Sequence, residues 1–128
     1  MPKTVISTPS NKVIGPYSGG IAAGDYVFLS GQIPLDGATG KLVPGGIIEQ
    51  TEQVFANIRG LLAAAGLGFE HVVKATVFML DLADFAAMNA VYQRHMPAPY
   101  PARSTIQVAG LPMAARVEIE VLAWQGAR

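Results

Sequence analysis

The chain has 128 residues, a formal net charge of zero and no cysteine. Its length predicts a single domain over residues 1–128, and the absence of cysteine excludes disulfides, thiolate metal sites and a cysteine nucleophile. Neutral charge argues against nucleic acid as a partner, because phosphate contacts need a surplus of Lys and Arg. We find no secretory signal pattern and no apolar run of membrane-spanning length, so we expect a cytoplasmic protein without membrane contact.

The composition is unusually apolar. Hydrophobic residues make up 51% of the chain and charged residues only 14%. A small domain cannot hide so much apolar surface by itself, so part of that surface is expected to be buried against other subunits.

The N-terminal part predicts a short strand over residues 3–7 and then a glycine-rich bend, IGPYSGG, over residues 14–20. The bend lacks the spacing and the Lys-Ser/Thr ending of a phosphate-binding loop, so its glycines and proline indicate a change of chain direction. Tyr17 lies within it. A tyrosine can line a pocket with its ring and hydrogen-bond a ligand with its hydroxyl.

Residues 26–33, YVFLSGQI, are typical of a strand. Ser30 and Gly31 interrupt the apolar run, and a glycine within a strand often marks a bulge or a close backbone approach. Strand alternation assigns the two sides. The core side is expected to carry Val27 and Leu29, and the other side Tyr26, Phe28 and Ser30.

The middle of the chain predicts a helix over residues 48–65, closed by Gly66 as a C-cap. Steps of three and four residues place one apolar stripe on this helix. The stripe comprises Ile48, Thr51, Phe55, Ile58, Leu62 and Ala65. Asn57 falls off the stripe and is expected to be solvated.

A strand over residues 72–80 and a second helix follow. Asp81 or Asp84 would cap this helix, and the prolines that begin at Pro97 would end it. One face of the helix would carry Phe85, Met88, Tyr92 and His95. His95 and His71 lie far apart in sequence without metal-ligand spacing, so no metal site is expected.

Two strands joined by a turn at residues 110–112 are predicted for the C-terminal stretch, residues 100–126. Alternation places Arg103 on the other side of its strand from Ile106, and Glu118 on the other side of its strand from Val117. If the two strands pair as neighbours, Arg103 and Glu118 lie on the same non-core face. That pair could hold a small anion and move its protons, but an exposed Arg–Glu pair is more often only a weak salt bridge. The residues alone leave both interpretations open.

The order of elements predicts an α+β fold in which two helices cover one face of a single mixed sheet. Nothing in the sequence covers the other face. By alternation, that face carries Tyr26, Phe28, Phe78 and Leu80, and an apolar sheet face of this kind should pack on another subunit.

Motifs along nearly the whole chain resemble those of one family, in its order and spacing. They are IGPYSGG, FLSGQIP, TEQVFANIRGLLAAAG, VVKATVFMLDLADFAAMNAVY and PARSTIQVAGLP followed by RVEIEVLA. Together they resemble the RidA family (YjgF/YER057c/UK114), the reactive-imine deaminases. The resemblance implies a chorismate-mutase-like fold, a homotrimer with pockets in the clefts between subunits, and catalysis without a cofactor.

The same resemblance implies hydrolysis of 2-imino acids, or their enamine tautomers such as 2-aminoacrylate, to 2-oxo acids and ammonia. Arg103 would grip the substrate carboxylate, and Glu118 would orient the water and shuttle protons. Tyr17, Ser30, Gly31, Asn89 and Thr105 match family pocket positions. Thr105 stands where many imine-deaminating members have cysteine, which leaves the substrate open.

Three alternatives remain. Some relatives are deaminases of larger enamines such as aminomuconate, and others are described as ribonucleases or translation inhibitors. A non-catalytic trimer that binds a small ligand in the same cleft is the third.

Overall fold

The computed structural model describes residues 3–126 and contains one six-stranded sheet and two long helices. The strands lie in the order β1-β2-β3-β6-β4-β5, and every neighbouring pair is antiparallel except β4 and β5, which are parallel. The strands are β1 (Thr4–Ile6), β2 (Gly20–Ala23), β3 (Tyr26–Leu29), β4 (Val72–Met79), β5 (Ala102–Gln107) and β6 (Val117–Trp124). The helices are α1 (Ile47–Ala64) and α2 (Phe85–His95).

Both helices pack on the same face of the sheet, and the core lies between the two layers. Fully buried side chains come from α1, α2 and the central strands β4 and β6; they include Phe55, Ile58, Leu62, Met88, Val77, Met79, Val117 and Ile119. The predicted architecture, two helices on one face of a single mixed sheet, is therefore confirmed.

Helix α1 begins and ends where its local chemistry predicts. The Glu49 carboxylate accepts a hydrogen bond from the Gly46 backbone N–H (2.8 Å), which satisfies a donor at the first turn. Gly66 has a φ of +76° and closes the helix as the predicted C-cap. The predicted stripe was wrong at Ile48, which is 48% exposed; Val54 and Leu61 are buried on this face instead.

Both candidate capping aspartates lie in the connection from β4 to α2. The Asp81 carboxylate accepts a hydrogen bond from the Ala83 N–H (2.9 Å) and caps the short 3-10 turn Leu82–Asp84. Asp84 occupies the N-cap position of α2, where its side chain makes no capping bond. Asp81 therefore fixes the entry to the helix, one turn ahead of it.

The last two strands do not pair with each other, because β4 lies between them. Val77 of β4 pairs with Thr105 on one side and with Ile119 on the other, so Thr105 faces the helix layer as Ile119 does. Arg103, two residues before Thr105, faces the same way. Glu118 pairs with Phe78 and lies on the opposite face.

The expectation that Arg103 and Glu118 share one face of the sheet is therefore wrong within a single chain. It assumed that the two strands were neighbours and that Ile106 pointed to the core. Instead, β5 enters the sheet parallel to β4 after the α2 crossover, at the outer edge, and Ile106 is 45% exposed on the face without helices.

The second face of the sheet is apolar and uncovered. Exposed large side chains from β3, β5 and β6 lie on it: Tyr26, Phe28, Ile106 and Trp124. Phe78 is half-buried there, and Leu80 is exposed just beyond the end of β4. The predicted uncovered apolar face is present. Within residues 3–126, no helix is long and apolar enough to cross a membrane.

Candidate active site

Arg103 lies at the edge of the sheet, against one face of α2. Its Nη1 atom donates a hydrogen bond to Asn89 Oδ1 (2.7 Å), and its Cζ atom lies 4.6 Å from the ring centroid of Tyr92 and 5.5 Å from that of Phe85. Residues 85, 89 and 92 are spaced by four and three, so they project from one side of the helix. Arg103 is half-buried, and no carboxylate in the described part of the chain pairs with it.

A cleft of about 480 Å³ opens beside this arginine. Asn89, Tyr92, Gln93, Tyr100, Pro101 and Arg103 line it. A guanidinium beside a cleft, with most of its N–H donors unused by residues 3–126, is suited to bind a carboxylate bidentately.

Glu118 is half-buried on the other face of the sheet. Burial raises the pKa of this carboxyl group, and the negative charge of Glu120 two residues along the strand raises it further. Within residues 3–126 the carboxylate has neither a hydrogen-bond donor nor a cationic partner. A carboxylate with a raised pKa and free oxygens is suited to accept and return a proton.

Gly31 and Tyr17 lie beside Glu118. The three residues line a second cleft, of about 140 Å³, together with polar residues that include Lys12 and Asn57. A Cβ atom at Gly31 would lie 2.9 Å from Glu118 Cδ and closer still to the carboxylate oxygen Oε2. The glycine predicted as a bulge or close approach is therefore where the backbone meets this carboxylate.

Ser30 and Thr105 line neither cleft. The Ser30 hydroxyl donates a hydrogen bond to the backbone carbonyl of Ser18 (2.6 Å), which fastens the start of the loop to the glycine-rich bend. Thr105 is half-buried two residues after Arg103 on the same face. Of the seven predicted site residues, the structure thus brings together Arg103 with Asn89, and Glu118 with Tyr17 and Gly31.

A buried polar network that sequence reasoning missed holds the loop beside Glu118. Gln32 is only 7% exposed, and its side-chain oxygen accepts a hydrogen bond from Asn11 Nδ2 (2.7 Å). Gln32 Nε2 donates to the Ser30 carbonyl oxygen (3.0 Å). An amide within an otherwise apolar strand pattern was the available signal, since buried amides are retained where they satisfy backbone groups.

Asn57 was expected to be solvated, and that expectation is wrong. Its side-chain Nδ2 donates to the backbone carbonyl oxygens of Ile33 (3.2 Å) and Leu35 (3.0 Å). It therefore ties α1 to the loop that follows Gly31.

The two histidines have other partners. The His71 ring accepts a hydrogen bond from the Gly68 N–H, and the His95 ring lies between Glu52 and Arg59. Among residues 3–126, no group of three or more His, Cys, Asp or Glu side chains could hold a metal ion.

The chain is similar to known proteins along nearly its whole length. The model of the family described as Endoribonuclease L-PSP matches residues 7–125. A solved structure from Yersinia pestis, titled as a member of the Rid protein family, is 40% identical, with a TM-score of 0.93 over 96% of this chain and 99% of that one. The chain belongs to this family.

Two further relatives carry informative names. The goat protein named 2-iminobutanoate/2-iminopropanoate deaminase is 46% identical over 97% of this chain and 91% of its own length. The structure of Escherichia coli TdcF with bound serine is 39% identical, with a TM-score of 0.88 over 94% of this chain and 98% of that one. The predicted family is confirmed, and its fold agrees with the one described above.

Proposed function

We propose that this Rid-family chain is a deaminase that hydrolyses 2-imino acids, such as 2-iminobutanoate and 2-iminopropanoate, to 2-oxo acids and ammonia. Relatives at 42–46% identity that bear this activity as their name support the reaction class. The site residues support the same chemistry, since a carboxylate-binding arginine and a proton-accepting glutamate are what an imino acid requires.

The observation that carries this proposal is a pair of unpartnered charges. Within residues 3–126, the half-buried guanidinium of Arg103 lacks a carboxylate and the half-buried carboxylate of Glu118 lacks a cation. Partly buried charges without partners are unfavourable unless a ligand or another chain supplies the opposite charge. The two groups lie on opposite faces of one sheet. A site that uses both therefore takes Arg103 from one chain and Glu118 from another.

A homotrimer with its sites between subunits meets this requirement. The exposed apolar face that carries Phe28 and Trp124 would be buried by assembly, as such a face requires. Glu118 lies on this face and Arg103 at the edge of the sheet, so both would reach the boundary between neighbouring chains. Exclusion of water from that boundary would strengthen the action of both charges on the substrate.

The reaction needs positioning and proton transfer, and the imine carbon is already electrophilic. Arg103 binds the substrate carboxylate and holds the imine carbon at a fixed distance from Glu118. Glu118 accepts a proton from water as the water oxygen adds to the imine carbon, and it passes this proton to the substrate nitrogen, which becomes an amine. Glu118 then moves the hydroxyl proton of the tetrahedral adduct to the nitrogen, the carbon–nitrogen bond breaks, and ammonia leaves as the carbonyl of the 2-oxo acid forms. One water is consumed for each ammonia released.

Subunit mixing tests the two-chain site directly. Arg103→Ala and Glu118→Gln should each be inactive alone, but a mixture exchanged into common oligomers should regain activity. In a random mixture of equal parts, about a quarter of the sites would combine an intact Arg103 with an intact Glu118. The control mixes Arg103→Ala with the double variant, which restores no site. Absence of recovery, with exchange verified by native mass spectrometry, would contradict the two-chain site.

Ammonia release from enzymatically generated 2-aminoacrylate and 2-iminobutanoate tests the activity. We expect Glu118→Gln to lower turnover by about a hundredfold or more, because the amide cannot accept the proton. Arg103→Lys should lower kcat/KM by about ten- to a hundredfold, because the planar pair of donors is lost while the charge is kept. Near wild-type values in both variants would contradict the assigned roles.

The same assay separates the alternatives. Faster hydrolysis of a larger enamine such as aminomuconate would place the chain among catabolic deaminases. Ligand binding without ammonia release would indicate a binding protein. RNA cleavage that survives both substitutions would indicate the nuclease activity that the family description names.

A further inference from the structure

Arg103 is surrounded on its protein side by neutral groups from α2. Two aromatic rings, of Tyr92 at 4.6 Å and Phe85 at 5.5 Å, lie within the distance at which a ring attracts a cation. The Asn89 side-chain oxygen accepts one hydrogen bond from Nη1. A carboxylate in place of these groups would neutralise the guanidinium and compete with a ligand, whereas rings and an amide hold it and leave its charge available.

Tyr92 is the more deeply placed of the two rings. It is 4% exposed, and its ring packs edge-on against Phe55 of the core at a centroid distance of 5.7 Å. The contact with Phe55 thus holds the ring in place, and Arg103 lies over the ring. Phe85 is 36% exposed at the start of α2 and is not part of the core cluster.

The Tyr92 hydroxyl has no hydrogen-bond partner among residues 3–126, although it is fully buried. A buried hydroxyl without a partner is unfavourable for folding. Within residues 3–126 the hydroxyl therefore holds nothing in place, whereas the ring contacts both the core and the guanidinium.

We propose that Tyr92, assisted by Phe85, is a positioning residue for Arg103: its ring face holds the guanidinium so that its free N–H donors point into the cleft. The ring contributes and the hydroxyl does not. This inference rests on the proposed role of Arg103 in binding the substrate carboxylate, but the contact itself can be measured without catalysis.

The kinetic test compares three substitutions in the assembled protein with 2-iminobutanoate as substrate. Tyr92→Leu removes the ring and should raise KM about three- to thirtyfold with a smaller change in kcat. Tyr92→Phe keeps the ring, so its KM should stay within about twofold of wild type, and its Tm should be equal or higher because the unpartnered hydroxyl is gone. Phe85→Leu should raise KM about two- to fivefold.

A matched control separates positioning from general damage to the helix. Val91 is buried on α2 and is not one of the side chains that hold Arg103, so Val91→Ala should lower Tm and leave KM unchanged. If Tyr92→Leu fails to fold, Phe85→Leu carries the test, because Phe85 lies outside the core cluster. Unchanged KM in Phe85→Leu and Tyr92→Leu, or equal increases in Tyr92→Phe and Tyr92→Leu, would overturn the inference.

A second measurement does not depend on activity. The Nε–H group of Arg103, identified by the loss of its NMR signal in Arg103→Lys, should be ordered in wild type and in Tyr92→Phe. It should become mobile on the nanosecond timescale in Phe85→Leu and Tyr92→Leu. Order that is retained in those two variants would refute the positioning role. If the chain proves inactive on imino acids while Arg103 behaves as stated, the proposed function fails and the positioning contact stands.

Discussion

At the scale of single residues, Gly31 and Glu118 depend on each other. Glu118 approaches the loop backbone so closely that a side chain at residue 31 would overlap its carboxylate. We expect Gly31→Ala to displace the carboxylate and to lower kcat by about tenfold or more, since small misplacements of a catalytic group are costly. Ammonia release measures this.

Gly60→Ala is the matched control for that substitution. A Cβ atom added at Gly60 meets no atom within 4 Å, and the residue lies inside α1. Replacement by alanine should leave the activity unchanged and stabilise the helix by about 0.5–1 kcal/mol. Equal activity in the two variants would show that the Gly31 approach has no catalytic role.

The charge of Glu120 is one cause of the raised pKa of Glu118, after burial. In the proposed mechanism Glu118 acts as a base, so kcat/KM falls when acid protonates it. Glu120→Gln removes the neighbouring negative charge, lowers the pKa of Glu118 and should shift the acidic limb of the kcat/KM profile to lower pH. A profile with an unmoved acidic limb would contradict the assignment of that limb to Glu118. Glu70→Gln, an exposed carboxylate outside the two clefts, is the control.

The sequence predicts the sheet face of Glu118 but not that of Arg103. Strict alternation in β6 predicts the face of Glu118 correctly, because Val117 and Ile119 define the core side without ambiguity. Arg103 has no such reference, since β5 is an edge strand with no fully buried residue. Its face depends on the insertion of β4 between the last two strands, a long-range pairing that local pattern does not encode.

At the scale of elements, α1 and α2 are joined at the surface by a cluster centred on Glu52. Its carboxylate accepts hydrogen bonds from Arg94 and, at 2.7 Å, from His95, whose ring stacks on Phe55 at 4.8 Å. The hydrogen bond from His95 is the largest effect on the pKa of Glu52 and lowers it. Burial acts in the opposite direction, and Arg94 lowers the pKa further, so that it lies below its ordinary value of 4.5.

The sign of the pH effect follows from that lowered pKa. The stability contributed by ionised Glu52 is present above the pKa of the unfolded chain and is lost as the pH falls through the lower pKa of the folded chain. We expect Glu52→Gln to lower the free energy of unfolding by about 0.5 kcal/mol at neutral pH, since the group is partly exposed. The difference should vanish in acid. Urea unfolding at pH 7 and pH 3 checks this, and a difference that persists undiminished at pH 3 would exclude an ionic origin.

The elements themselves were largely predictable and the connections between them less so. Period and capping located α1, because Gly66 ends it and the buried stripe runs along it. Asn57 was misjudged because its partners are the carbonyl oxygens of Ile33 and Leu35, in a loop whose path no local pattern specifies. A polar side chain whose hydrogen-bond partners are backbone groups far away in the sequence is assigned to solvent when only the local pattern is read.

At the scale of the whole molecule, the uncovered sheet face is the surface that we propose to be buried between subunits. Phe28 lies on this face in the inner strand β3; its side chain is 49% exposed and lies outside the core. Phe28→Glu should therefore leave the fold intact while a buried, unpaired carboxylate opposes association. Light scattering should show a smaller species than wild type, and ammonia release should fall with it.

Ile48→Glu is the control for that charge. Ile48 is exposed to a similar extent, 48%, but it lies on α1, on the helix side of the sheet. The variant should keep the size and activity of wild type. An assembled and active Phe28→Glu protein would show that the uncovered face is not the interface.

The placement of Arg103 and Glu118 on opposite faces of one sheet also has a consequence for inheritance. In the proposed trimer each chain contributes its arginine to one site and its glutamate to another. A chain that lacks both residues therefore disables two sites wherever it is incorporated, and a trimer with one such chain keeps a single working site. A cell that carries one intact and one doubly defective allele should lose more than half of its activity. Such an allele would act as a dominant one.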